Sequence, residues 1–370
     1  MKETITSYVG LDVHKDSIAI ALAEAGRSAP RFIGTAPPEP AVLCKALTRC
    51  TKRSNTLVVY EAGPCGYGWA RYLNSQGWHC EVISPAHITR KASEKLHKTD
   101  RLDALLLARE SRAGNLVRVV VPDERDEAMR DLARAREDAS AARLRARLQL
   151  KAMLLRHGRA YQGKTSWNAA HERHLAGIKF DLPAQQIAFD EYRQAAKDAH
   201  ERLERLTRAL GEQCEHWRMK GVVKALMCLR GLDLVAATIF IAEIGDLSRF
   251  AHPKALMKYL GLTPSEHSSG NTRRQGPITK AGNKQARRIL VEAAWTYRFN
   301  PRLSRPIEVR QQGQPKAIRD IAWRAQLRLA YRFRKLNAGR KMTQNKCCVA
   351  VARELAGFIW DIARQVQIPA

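Results

Sequence analysis

The stretch ITSYVGLDVHKDSIAIALAEAGRSAPRFIGTA, residues 5–36, decides the fold of the first part of the chain. Ile5, Val9, Leu11 and Val13 recur around small residues, SIAIALAEA repeats the pattern after a turn at His14, Lys15 and Asp16, and APRFIGTA follows a turn at Gly26. Three strands are predicted. Asp12 lies inside the first of them, where a carboxylate is costly unless it is paired or holds a metal.

Outward from this stretch, Pro37 to Pro40 end the hairpin region and Ala41 to Cys50 reads as a helix. TLVVYEAGP, residues 56–64, is a further buried strand, and it ends in Glu61. A helix from Tyr67 to Gln76 and a short strand from His79 to Ser84, closed by Pro85, complete an alternation that argues an α/β layer fold with a partly parallel sheet. Such a sheet gathers the residues at its strand ends into one crevice. In KTDRLDALLLARE, residues 98–110, Thr99 caps a helix on which Asp100 and Asp103 share a face, with Leu102, Leu105 and Leu106 expected to pack on the sheet. Asp12, Glu61, Asp100 and Asp103 held together would repel one another unless a divalent cation sat between them, and hard oxygen donors suit Mg2+, with Mn2+ as the alternative. The competing reading is four unrelated surface acids.

Residues 123–157 and 185–218 are two long helical stretches. Leu132, Ala139, Leu144, Leu148 and Leu155 recur at helical spacing in the first, and Ala195, Ala199, Leu203, Leu206 and Leu210 in the second. They read as a coiled-coil-like spacer or oligomerisation element without chemistry of its own. Residues 222–245, VVKALMCLRGLDLVAATIFIAEIG, resemble a helix-hairpin-helix unit with Gly231 in the turn and Asp233 where a second glycine is usual; a purely structural hairpin is the alternative. A long basic helix, Lys316 to Asn337, carries Trp323, Tyr331 and Phe333 among arginines, aromatics that can stack on unpaired bases but are expected mainly in the core. The closing helix, Val349 to Ile362, has an ordinary apolar stripe.

Between these lies ALMKYLGLTPSEHSSGNTRRQGPITKAGNKQARRILVE, residues 255–292, anchored by Leu256 to Leu260 on one side and by Ile289, Leu290 and Ala293 on the other. Its centre offers serine hydroxyls at Ser268 and Ser269 beside Gly270, followed by Arg273, Arg274, Lys280 and Lys284. A hydroxyl beside cations supplies a potential nucleophile together with groups able to hold a phosphodiester and stabilise its transition state. The same residues also compose an ordinary solvated turn.

Composition sets the partner class. The 64 Lys and Arg against 36 Asp and Glu give a net charge of +28 and a pI near 10.2, a balance that favours a polyanionic partner over a membrane surface. Residues 249–348 hold 23 Lys or Arg against Glu266, Glu292, Glu308 and Asp320, which makes the C-terminal part the expected backbone-binding surface. The eight cysteines form no C-x-x-C pair, the start lacks a signal peptide's apolar core, and the longest apolar run, Leu232 to Ile244, is interrupted by Asp233 and Glu243; a reduced cytoplasmic setting is expected.

The motifs YVGLDVHK at 8–15, VVYEAGP at 58–64, KTDRLDALLLA at 98–108, GLTPSEHSSGNTRRQGPITKAGN at 261–283 and VAVARELAGFIWDIA at 349–363 run in order from end to end. In this combination the chain resembles the IS110 family of insertion-sequence transposases. The resemblance implies a RuvC-like, ribonuclease H-like catalytic domain over residues 1–120, a helical coiled-coil spacer over 121–220 and a mainly helical transposase domain over 221–370. It implies an acidic tetrad of Asp12, Glu61, Asp100 and Asp103 holding Mg2+ or Mn2+, and a nucleophilic serine at Ser269, with Ser268 left open. It further implies a bacterial recombinase that cuts and rejoins donor and target DNA through a serine-linked intermediate, guided by a structured noncoding bridge RNA. Its expected assembly is a homodimer that forms a tetramer in synapsis, the two centres meeting across subunits, with nucleoid association when active. Two further readings stand beside it: a metal-dependent junction endonuclease that uses water, and a non-catalytic nucleic-acid scaffold.

Overall fold

Alternating apolar residues make the first strand, β1 (Ser7–Val13), pair on both sides. β2 (Ile18–Glu24) joins it antiparallel and β3 (Arg31–Ala36) continues that meander, while β4 (Thr56–Glu61) and then β5 (His79–Ile83) add in parallel, giving the order β3-β2-β1-β4-β5. The expected partly parallel α/β sheet is present. The structure, a computed structural model, describes residues 4–85, 88, 99–266, 269, 272, 274–338 and 342–369. It divides into two compact units, Met1–Val121 and Pro122–Ala370.

The two faces of the sheet bury different side chains. On one face Val9, Leu11, Ile20, Leu22, Val58 and Tyr60 pack with Leu43 and Leu47 of α1 (Pro40–Cys50) and with Ala70 and Leu73 of α2 (Gly68–Ser75). The other face is lined by Ala19, Ala21 and Ala23, and receives Ala104 and Ala108 of α3 (Asp100–Arg112). Small side chains let helix and sheet approach closely. At Gly10 a Cβ would lie 2.3 Å from the carbonyl oxygen of Ala104 and 2.5 Å from the amide nitrogen of Ala108, so the helix backbone rests directly on the strand. The packing face of α3 is consequently Asp103, Ala104, Leu107, Ala108 and Ser111, with Leu106 also buried; Leu102, expected to pack on the sheet, is 44% exposed. The contact with Gly10 fixes the helix's rotation, which leucine spacing alone left undetermined.

In the second unit α4 (Glu124–Arg156) and α6 (Pro183–His216) run antiparallel. Near one end Arg136 donates to Thr207 at 3.3 Å, and near the other Leu150, Met153 and Leu154 pack with Phe189 beneath α5 (Ala169–Ala176). The buried stripe of α4 is Met129, Ala133, Ala139, Ala146, Leu150, Met153 and Leu154, whereas Leu144, Leu148 and Leu155 of the expected stripe are 60%, 56% and 69% exposed. Alanines at the crossing let the two helices approach, and that geometry selects the face.

The helices α7 (Lys220–Leu226), α8 (Leu234–Ile244), α9 (Pro253–Tyr259) and α10 (Lys284–Ala294) share one core with the two long last helices, and α11 (Arg305–Gln311) is tied to it by Arg310, which donates to the carbonyl of Leu232 at 2.6 Å; α12 (Lys316–Ala338) and α13 (Gln344–Ala363) complete the core. Met129 and Ala133 of α4 and Leu210 and Cys214 of α6 belong to that core, so the expected boundary at residue 220 falls inside the second unit. Asp233 caps α8 by accepting from the amide of Ala236 at 2.8 Å, which accounts for an aspartate after the Gly231 turn. Gly231 is itself packed on α10: a Cβ there would lie 2.7 Å from the carbonyl oxygen of Ala293. On α12 Phe333 is buried, but Trp323 and Tyr331 are 42% and 52% exposed, so the core expectation holds for one aromatic of three. All eight cysteines are free thiols, and among the described residues no helix is long and apolar enough to cross a membrane.

Because a methyl at residue 10 must displace backbone rather than a flexible side chain, Gly10→Ala is expected to destabilise the chain by about 1–3 kcal/mol or more. Denaturant unfolding measures it, and a change under about 0.5 kcal/mol, the level of an ordinary surface substitution, would refute the packing argument.

Candidate functional site

The close approach of α3 sets the geometry of the acidic group. Thr99 caps α3 with its hydroxyl accepting from the amide of Leu102 at 3.3 Å, and Asp100 and Asp103 occupy the first turn, where the helix dipole favours negative charge. Asp12 sits near the end of β1 with its side chain only 16% exposed. The parallel register of β1 and β4 pairs Leu11 with Tyr60; continued by one residue, it sets Asp12 beside Glu61 at the adjacent strand end. His14 completes the group. Its Nε2 lies 3.2 Å from Asp12 Oδ2 and 3.6 Å from Asp100 Oδ1.

One ligand atom from each of Asp12, His14 and Asp100 falls within 4.8 Å of the others. Burial pushes the Asp12 carboxyl above its usual range, His14 opposes this through charge and hydrogen bond, and Asp103 and Asp100 raise it further. Asp103 is therefore an electrostatic neighbour of Asp12, and it is buried. Two carboxylates and an imidazole at this spacing can hold a divalent cation, with Asp103 in the field of Asp12. Of the four predicted acids the structure brings Asp12 and Asp100 together directly and puts Asp103 within the field of Asp12, while Glu61 ends β4, the strand paired with β1. His14 is the member that sequence reading missed. A residue two places after Asp12 at a strand end shares its face, and that spacing was the available signal.

The serine-bearing segment is built on two anchors, as expected: Leu256 and Leu260 at the end of α9, and Ala286, Ile289 and Leu290 on α10 are buried. Between them β6 (Pro264–Glu266) and β7 (Gln275–Ile278) form an antiparallel pair that composition did not reveal. Beyond it Ser269 and Thr272 exchange backbone hydrogen bonds at 3.2 and 3.0 Å, so exposed Ser269 stands at the tip. Ser268, Gly270 and Arg273 lie outside the described residues. Arg274, Lys280 and Lys284 are exposed, Lys280 with a positive φ of 56°.

The base of this hairpin is tightly interlocked. At Gly261 a Cβ would meet the backbone of Ala281 at 2.2 Å, and at Gly282, φ 73°, it would meet the carbonyl oxygen of Tyr259 at 1.9 Å. Arg287 on α10 donates through one Nη1 to the carbonyls of Leu260 at 2.9 Å and Ala281 at 3.0 Å, tying the two arms together. Asn283 caps α10, accepting from the amide of Ala286 at 2.9 Å.

Residues 223–308 match the family model described as "Transposase IS116/IS110/IS902 family", and residues 9–158 match the DEDD transposase model of the IS110 group, described as "Transposase". The chain is 45% identical, over 98% of its length, to "Putative transposase y4qE" of Sinorhizobium fredii, of which it covers 89%. The chain belongs to the IS110 family of transposases. It is also 30% identical to "Transposase for insertion sequence element IS1533" of Leptospira borgpetersenii, over 90% of this chain and 97% of that one. A solved structure, "Thermus thermophilus RuvC structure", aligns at 16% identity over 30% of this chain and 99% of its own, with a TM-score of 0.23, a likeness too slight to bear on the fold. In this IS110-family transposase the acidic group lies within the first matched segment by chain order and Ser269 within the second.

The raised Asp12 fixes a sign. A carboxyl whose folded pKa exceeds its unfolded value contributes stability below the unfolded pKa and loses it as pH rises through the folded pKa. In cation-free buffer at pH 7, Asp12→Asn is therefore expected to raise Tm. Mg2+ or Mn2+ at about a hundredfold over Kd should stabilise the wild-type chain by roughly 2–3 kcal/mol and the variant by less. Thermal unfolding with and without the cation measures both, and an equal cation response in the two proteins would remove Asp12 from the site.

Proposed function

We propose that the chain is a DNA recombinase that cuts and rejoins donor and target strands through a serine-linked intermediate. The observation that carries this reading is the placement of Ser269: an exposed hydroxyl at the tip of a hairpin, with Arg274 and Lys280 on the returning arm and Lys284 opening α10. In the cleavage step the Ser269 Oγ–phosphorus bond forms as the bond from phosphorus to the departing sugar oxygen breaks. The serine proton leaves and the departing oxygen takes up a proton. Rejoining reverses it, a sugar hydroxyl of the new partner strand attacking the phosphoserine diester and restoring the Ser269 hydroxyl.

Asp12, Glu61, Asp100 and Asp103, with His14 beside them, are the residues that would hold Mg2+ or Mn2+. A divalent ion bound there supplies charge stabilisation at a phosphate and lowers the pKa of a coordinated hydroxyl. The cations of the hairpin arm stabilise negative charge developing on the phosphate oxygens. That the amino-terminal unit is ribonuclease H-like is supported by its strand order and senses. Guidance by a structured noncoding RNA, assembly of dimers into a tetramer, the division into catalytic, spacer and transposase domains, and action at the nucleoid belong to the same reading. The charge of +28, concentrated on residues 249–348, supports simultaneous hold on DNA and RNA.

Ser269→Ala is expected to lower strand cleavage by at least about three orders of magnitude while DNA and guide-RNA affinity stay near wild type, with Asp12→Ala equally inactive and Ser268→Ala measurably active. Labelled DNA incubated with the protein, guide RNA and Mg2+ reads all three variants. Exchanging the pairing loops of the RNA should redirect the cut with the protein unchanged. Wild-type cleavage by Ser269→Ala supports water as the nucleophile, cleavage absent from the wild type under every cation supports the scaffold reading, and a fixed cut site after the exchange contradicts RNA guidance.

A further inference from the structure

The base of the serine hairpin is joined to α4 through a carboxylate that takes no part in the chemistry above. Glu243, near the end of α8, has a side chain only 2% exposed. Its Oε1 and Oε2 accept from Arg134 Nε at 2.8 Å and Nη2 at 3.1 Å, a two-pronged pair with α4. The same Oε2 accepts from Asn283 Nδ2 at 2.6 Å. Burial works against ionisation, yet Arg134, Asn283 and Arg130 together hold the Glu243 carboxyl below the usual carboxylate range.

Asn283 uses both ends of its carboxamide. Oδ1 caps α10, while Nδ2 reaches Glu243. Aspartate lacks the donor, and serine, whose hydroxyl stands about one bond short of the Asn283 Nδ2 position, does not reach Glu243 from the cap, although either caps a helix about as well. Asn283 directly follows Gly282, the residue whose backbone presses on Tyr259, so the position of the carboxamide sets where the returning arm of the hairpin leaves the core. Two further contacts bind the same helices: Arg130 Nε donates to the carbonyl of Ala242 at 2.9 Å, and Arg288 of α10 pairs with Glu137 of α4.

We propose that Glu243 is a positioning residue: through Asn283 it fixes the serine hairpin in register with α4, so that a displacement of α4 is transmitted to the residues carrying Ser269, Arg274 and Lys280. A carboxylate taken out of water at this place would otherwise be a cost without return, since Arg134 is 56% exposed and could be satisfied by solvent. The catalytic meaning of the hairpin rests on the function proposed above; the mechanical tie does not.

The test uses the full-length chain and two readouts. Brief trypsin digestion followed by mass spectrometry measures release of the hairpin as cleavage after Lys280. Asn283→Ser, which keeps the cap, and Glu243→Ala are each expected to raise that rate on the order of tenfold at nearly unchanged Tm, the mark of local rather than global opening. Glu243→Gln, whose carbonyl still accepts from Asn283, should recover at least half of the protection. Wild-type protection in Asn283→Ser, or no recovery in Glu243→Gln, would overturn the tie. Strand cleavage at saturating DNA, with guide RNA and Mg2+, should fall in Asn283→Ser at unchanged DNA affinity. A released hairpin with full strand cleavage would contradict the serine reading and leave the tie standing.

Discussion

The contact of α3 with β1 at Gly10 is the constraint on which the first unit depends. A strand carries side chains on both faces, so a helix normally rides on them; here the absence of one Cβ and the alanines beside it let helix backbone meet strand backbone. That approach brings the first turn of α3 to the end of β1. Asp100 and Asp103 then stand near Asp12, whose carboxyl is raised chiefly by burial and further by these two neighbours. A half-buried carboxylate beside two further acids costs free energy that a divalent cation among them would offset.

The second unit presents its serine hairpin by related means. Gly261 and Gly282 allow the two ends of the serine hairpin to cross at backbone contact, and a capped helix N-terminus, α10, begins where the hairpin ends. In both units a side-chain cap therefore fixes the register of a helix whose first turn lies at the candidate chemistry: Thr99 for α3 and Asn283 for α10. The difference lies in what holds the cap. Asn283 is anchored to a buried carboxylate shared with α4, which makes the hairpin sensitive to a helix more than a hundred residues earlier in the chain.

Much of this was legible from residue types. Strand alternation around Asp12 and Glu61 identified carboxylates that the sheet must accommodate, and the glycine-serine composition of residues 265–282 marked a segment without a core of its own. Facing was harder to read. The buried face of α4 uses Met129, Ala133, Ala139, Ala146 and Met153 beside only Leu150 and Leu154, and of these the expected stripe held Ala139 alone, because following the leucines placed Leu144, Leu148 and Leu155 on the wrong side. His14 passed for a turn residue because its role depends on α3, which arrives from far along the chain. Glu243 registered only as an interruption of an apolar run, since its partners, Arg134 and Asn283, lie on other elements and no periodicity links them.

The central claim is that Ser269 becomes covalently joined to DNA, and peptide mapping of the cross-linked product tests it most directly. Wild-type protein is incubated with Mg2+, guide RNA and labelled DNA, digested with nuclease and protease, and the nucleotide-bearing peptide is sequenced by mass spectrometry. The account predicts a nucleotide remnant on Ser269. Cleaved DNA with no modified peptide, or a remnant on any residue other than Ser269, would contradict it.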